Sequence, residues 1–265
     1  KIRRSRFFWI ASLAILILLG LTLFFVGDLN IMGQKSSPEA GQSPGSFDQS
    51  LADLGMYQLP LAWANLAYLA GYFKIFASLI LIFLITQEYQ FRTARQNVID
   101  GLSKKEFFMS KVVLLLSFSL GLTLFTGLVS ALQIFAHPQP EEASFWSGTE
   151  ALLLLAVENI FSFSLASFLA WLLRRAAPAM LFFLLYYFIL EELSYLILEA
   201  PLEEWLPTQA GKSLLQQTFT RRTNLDIILG MEARQDFPWL DFSRASGYSL
   251  LFLVGGYWIF QKRDL

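Results

Sequence analysis

Six apolar stretches, separated by polar segments, dominate this chain and leave its backbone few folds to adopt. They lie near residues 7–26, 64–87, 112–136, 151–173, 177–198 and 245–260. A helix needs about 20 apolar residues to cross a hydrocarbon core roughly 30 Å thick. One such stretch alone could be the buried helix of a soluble protein. Six together, in a chain that is 55% hydrophobic with 26 Phe, predict an all-α membrane protein: a single transmembrane domain over residues 1–265 with six transmembrane helices. The last stretch is short and draws on Leu240 and Phe242 to reach full length.

The basic residues orient these spans, because cytoplasmic loops carry an excess of Lys and Arg. Lys1, Arg3, Arg4 and Arg6 precede the first span. Arg92, Arg95, Lys104, Lys105 and Lys111 lie between the second and third; Arg174 and Arg175 follow the fourth; Lys262 and Arg263 follow the sixth. With both termini cytoplasmic, these thirteen share one side and six others, from Lys35 to Arg244, share the opposite side. The net charge of -1 thus hides a strong asymmetry and carries no message about nucleic acid, so no nucleic-acid partner is expected. The first apolar run is too long for a signal-peptide core, and no small-residue cleavage site follows before Gly27-Asp28, which predicts an uncleaved anchor. The absence of cysteine excludes disulfides, thiolate metal sites and a Cys nucleophile.

Two outer loops are long. Residues 27–59 are rich in Gly, Ser and Pro and lack periodicity through their first half. Residues 199–244 contain Glu203–Leu206 and Leu214–Arg222, which alternate apolar and charged residues at helical spacing and predict short interfacial helices before span six.

Residues 88–111 form the segment with the most internal order. No Pro or Gly interrupts Gln87–Asp100, so span two is expected to continue as helix beyond the membrane surface, with Glu88, Arg92 and Arg95 sharing one face. Gly101 suits the left-handed residue that ends a helix. Ser103 and Glu106 then form the S-x-x-E pattern of a capping box, which starts the next helix. The expected product is a cytosolic helix–turn–helix elbow between spans two and three, with a basic tip.

The residues Glu88, Thr93, Arg95, Gly101, Ser103, Lys104 and Lys111 fall at the spacing E-x-x-x-x-T-x-R-x-x-x-x-x-[GP]-x-S-[RK]…K. In this the chain resembles the permease subunits of type-2 ABC transporters, gliding-motility-like permeases among them. Lys104 replaces the more usual Arg, which keeps the charge but loses the bidentate fork. Arg174-Arg175 and the terminal Phe260–Leu265 extend the resemblance over nearly the whole chain, although only the elbow is specific. The resemblance implies a non-catalytic permease subunit of the bacterial cytoplasmic (inner) membrane. Such a subunit forms the translocation path and pairs as a homodimer, or as a pseudo-symmetric heterodimer with another permease. The elbow, with Arg92 and Lys105 beside the signature residues, docks on a separate ABC ATP-binding subunit; ATP is bound by that partner, and this chain needs no cofactor. The alternative is a membrane anchor or scaffold in a larger ATPase-driven machine, with no small-molecule substrate of its own.

The residues themselves offer little other chemistry. Gly211-Lys212-Ser213 mimics the tail of a P-loop, but Leu206 occupies the position of its first glycine and the segment is assigned to the outer side. The pair Glu191-Glu192 is similar to the paired glutamates of CAAX-type intramembrane proteases, yet the His and Arg partners those sites require are missing. The sole histidine, His137, lies in a loop beside Glu141-Glu142, an exposed acidic segment rather than a metal site. Lys74 and Glu158 remain, because a charge inside an apolar span suggests function or pairing. At 1.5 Å per residue, Lys74 sits ~21 Å from Glu88 and Glu158 ~22 Å from Leu173, with Glu191 and Glu192 at similar depth. Either these groups pair with one another, or each reaches separately to the outer interface.

Overall fold

The computed structural model describes residues 6–25, 56–91, 93–141, 143–190 and 237–262, together with 206, 207, 211, 214 and 215. Among these residues the protein is all-helical, with no strand. The helices are α1 (Arg6–Phe25), α2 (Ala62–Gly71), α3 (Lys74–Gln90), α4 (Thr93–Ile99), α5 (Lys104–Ala136), α6 (Glu150–Leu173), α7 (Ala176–Leu185) and α8 (Trp239–Lys262). A π-helical turn, Tyr186–Leu190, extends α7. Helices α5 and α6 are long and apolar enough to cross a membrane, and the α2–α3 pair makes a third span if its bent halves count as one.

Helix α6 is the hub and packs against α2, α3, α5, α7 and α8. Small side chains allow these approaches, as expected where helices associate without a hydrophobic driving force between them. Ser78 on α3 meets Ser162 on α6 at 3.1 Å. Ala166 and Ala170 are fully buried. Gly256 of α8 lies so close to Trp171 of α6 that a Cβ there would stand 2.2 Å from the indole.

The chain departs from a straight second span. Helices α2 and α3 meet at 41°, and the junction carries short-range bonds from the N–H groups of Tyr72 to the Leu69 carbonyl and of Phe73 to the Ala70 carbonyl. Such a tightened turn breaks the helical ladder and produces a kink. Helix α3 also ends at Gln90, with Phe91 as its C-cap, so the helix does not run on to Asp100. Glu88 and Arg95 therefore stand on different helices and share no face. Helix α8 covers the last apolar stretch and takes in Leu240 and Phe242, starting at Trp239. The fifth apolar stretch is described only to Leu190; Glu191 and Glu192 lie outside the described residues, as does most of the two outer loops. Of those loops, Met56, Tyr57, Leu59, Leu214 and Leu215 are buried in the core. Leu214 and Leu215 form a turn and bend rather than the start of an interfacial helix.

The bundle has two distinct ends. At one, Gln133 of α5 donates to the carbonyls of Leu23 and Phe24 at 3.2 and 3.1 Å, satisfying orphan acceptors at the end of α1. The Tyr57 hydroxyl donates to Leu23 as well. Gln139 accepts from the Leu59 N–H and donates to the Tyr57 carbonyl, and the Trp63 indole donates to the Phe145 carbonyl. The opposite end gathers the C-termini of α3, α6 and α8 and the N-termini of α5 and α7.

Candidate functional site

At that second end the elbow is built from local rules. The Phe91 N–H still donates to the Gln87 carbonyl, but the Thr93 hydroxyl reaches back to the Glu88 carbonyl at 3.3 Å, and the chain turns. Helix α4 follows and closes on Gly101, whose φ of 102° lies in the left-handed region open to glycine. The Leu102 N–H donates to the Asn97 carbonyl at 3.1 Å, the long-range bond of a Schellman motif. Ser103 caps α5 in a complete capping box: its N–H donates to Glu106 Oε2 at 2.9 Å, and the Glu106 N–H donates to its hydroxyl at 3.2 Å. This turn–cap sequence fixes α4 relative to α5.

Side chains then bolt the elbow to the bundle. Lys111 of α5 forms an ion pair with Glu88 of α3, and its ammonium lies 4.8 Å from the Phe107 ring centroid. Phe107 stacks on Phe260 of α8 at 5.6 Å; Phe108 packs against Trp171 at 4.6 Å and Tyr257 at 5.1 Å. Lys104 reaches the Gln261 carbonyl at 3.5 Å. Arg174 ends α6 in the left-handed conformation, a costly choice for a residue with a Cβ, and places its guanidinium 5.2 Å from the Tyr89 ring. Outward, the elbow shows apolar side chains: Phe91 is 71% exposed, Ile99 75% and Leu102 41%. Lys105 is exposed as well.

The elbow residues singled out by spacing thus divide in two. Glu88, Thr93, Lys104 and Lys111 are spent on internal contacts; Gly101 and Ser103 shape the turn. Lys111 is buried and belongs to the base rather than to a basic tip. Arg92 and the side chain of Arg95 lie outside the described residues, although the backbone of Arg95 is in α4. Glu88 meets Lys111, 23 residues away, a pairing that no local spacing announces. Tyr89 escaped the sequence reading, as did the contacts of Phe107, Phe260 and Gln261, because these contacts join segments far apart in the chain.

The second constellation is the buried charge pair. Lys74 opens α3 just after the kink, and its ammonium meets Glu158 Oε1 on α6. Both side chains are buried, so the two groups form one pair rather than reaching separately for an interface. Tyr187, on the π-helical turn, brings its ring centroid within 5.7 Å of the Lys74 ammonium. Its phenol within an apolar stretch was the available signal for it. Asn159, next to Glu158, reaches the Thr123 hydroxyl of α5 at 3.5 Å. Polar contacts therefore continue from α3 through α6 to α5. Among the described residues no group of His, Cys, Asp or Glu is arranged to hold a metal ion. His137 instead stacks on Tyr57 at 4.3 Å and bonds through Nδ1 to the Gln133 carbonyl.

Residues 46–265 match the family described as "Protein of unknown function (DUF2705)", and the chain belongs to that family. No curated protein matches the chain.

Proposed function

We propose that this DUF2705 member is the membrane-spanning permease subunit of an ABC transporter, driven by a separate ATP-binding subunit that docks on the α4–Gly101–α5 elbow. The observation that carries the reading is the elbow's two-sided construction. Its base is tied to α3 by Glu88–Lys111, to α8 by Lys104–Gln261 and the Phe107–Phe260 stack, and to α6 by Phe108–Trp171. Its tip presents Phe91, Ile99, Leu102 and Lys105 without internal cover. Large apolar side chains exposed near charged ones on a short connecting element suit an interaction surface. Displacement of such a tip would pass through fixed contacts to the ends of three helices.

In this reading the six apolar stretches are six spans, both termini and the elbow face the cytosol, and two permease subunits pair in the bacterial inner membrane. The chain supplies no catalytic group; hydrolysis of ATP belongs to the partner. The test is purification of the tagged protein from its native membrane in mild detergent. The expected result is an associated ATP-binding subunit that is lost in both Ile99→Asp and Gly101→Val, with membrane insertion unchanged. An ATPase that remains bound to both variants, or none bound to the native protein, would sink the proposal. An associated ATPase whose turnover ignores every added solute would instead favour the anchor or scaffold role.

A further inference from the structure

A cavity of about 380 Å³ opens beside the buried charge pair, lined by Tyr68, Gly71, Tyr72, Lys74, Glu158 and Tyr187 among others. That volume lies in the ~300–1,000 Å³ range of small-molecule sites. One wall is unfinished in its hydrogen bonding. Glu158 is 3% exposed; its Oε1 is taken by Lys74, whereas its Oε2 has no hydrogen-bond partner among the described residues. A buried acceptor left in that state is costly and calls for a donor. Gly71 faces the same oxygen: a Cβ there would lie 3.3 Å from Oε2. Glycine therefore keeps a side chain out of the space beside the buried oxygen that still needs a partner.

The surroundings select the donor. Lys74 already balances the Glu158 carboxylate, so a second cation at Oε2 would sit beside an ammonium and be repelled. A neutral O–H or N–H satisfies the oxygen without that opposition. The remaining walls are mostly apolar and aromatic. Tyr68 and Tyr72 pack edge-to-face at 5.4 Å with their hydroxyls bonded to each other at 2.6 Å, and Ile75, Phe188 and Leu215 complete the lining. We propose that this cavity binds an uncharged amphiphile, whose hydroxyl or amide N–H donates to Glu158 Oε2 and whose apolar body lies against the tyrosines. The site stands independently of the ATPase-coupled reading. Its occupant comes either from the bilayer or from solution, and the chemistry is the same for both.

Equilibrium binding to the full chain in dioleoylphosphatidylcholine nanodiscs tests this, because that lipid carries no hydrogen-bond donor. Tritiated 4-phenyl-1-butanol represents a soluble source and tritiated 1,2-dioctanoylglycerol a lipid source; the methyl ether of the first and the acetate of the second lack the donor. At least one alcohol should bind saturably above empty discs, about tenfold or more tightly than its capped analogue. The better alcohol identifies the source. Gly71→Ala, which covers Oε2 with a methyl group but keeps the Lys74–Glu158 pair, should abolish that preference. The comparison of alcohol with capped analogue needs no variant, so it stands even if a substitution prevents folding. Equal binding of alcohol and capped analogue, no saturable binding of either alcohol, or an undiminished preference in Gly71→Ala would each overturn the proposal.

Discussion

Lys74 and Glu158 neutralise each other where neither could be left alone. Truncating one partner of a buried pair leaves an uncompensated charge at a cost of about 3–5 kcal/mol, whereas replacing both is often close to neutral. Lys74→Met should therefore destabilise the protein strongly, and adding Glu158→Gln should restore much of the loss. Thermal unfolding of the two single variants and the double variant in detergent measures the coupling, and strict additivity would mean that the pair contributes nothing as a pair. The same cycle at Glu88 and Lys111 should give a smaller coupling, about 1 kcal/mol, because the Glu88 side chain retains 18% exposure and solvent screens it. These two pairs also show what the sequence exposes at this scale. Lys74 and Glu158 stand out because charges are rare in apolar stretches, but which carboxylate answers Lys74 depends on α3 packing against α6, a tertiary fact. Glu88 likewise meets Lys111 only because the turn after Gln90 brings the start of α5 back against α3, which no local spacing announces.

At the scale of elements, the legible features were those written within a few consecutive residues. The capping box at Ser103–Glu106 and the left-handed turn at Gly101 are local and stand where the chain places them. The kink at Tyr72–Phe73 and the break after Gln90 were not legible, since neither place carries a proline and the bonds that form them, Tyr72 to Leu69 and Thr93 to Glu88, follow no residue pattern that marks a break. Close packing is equally hidden. Helix α8 contains Gly247 and Gly256, identical in sequence terms, yet a Cβ at Gly247 would meet nothing within 4 Å and one at Gly256 would strike the Trp171 ring. Trp171 is 1% exposed and has little room to yield. Gly256→Ala should thus cost about 1–3 kcal/mol by overpacking, while Gly247→Ala should be neutral or gain about 0.5–1 kcal/mol from helix propensity. The contrast is read in one thermal-unfolding experiment, and equal behaviour of the two variants would mean that α8 does not approach α6 as closely as described.

For the whole molecule, the length of α5 relates the two ends of the bundle to a membrane. Its 33 residues extend about 50 Å at 1.5 Å per residue, well beyond a hydrocarbon core of roughly 30 Å. Its first two turns carry Lys104, Lys105 and Lys111 and the elbow contacts, so these turns are the part that projects, and the apolar remainder suffices to cross. The far end of α5 joins the polar cluster of Gln133, Tyr57 and Gln139, which satisfies helix-end carbonyls and loop groups at the other surface. In the proposed reading, the positive-inside rule puts the elbow in the cytosol. The chain has no cysteine, so single cysteines can report each face without background. Lys105→Cys, at the exposed start of α5, and Ser144→Cys, in the exposed connection between α5 and α6, lie at opposite ends of the bundle. In intact cells an impermeant thiol reagent should label Ser144→Cys and spare Lys105→Cys until the membrane is opened. The reverse pattern would invert the molecule and put the elbow beyond reach of a cytosolic ATPase. Labelling of both in intact cells would mean that α5 does not separate two compartments, and the transport reading would fail with it.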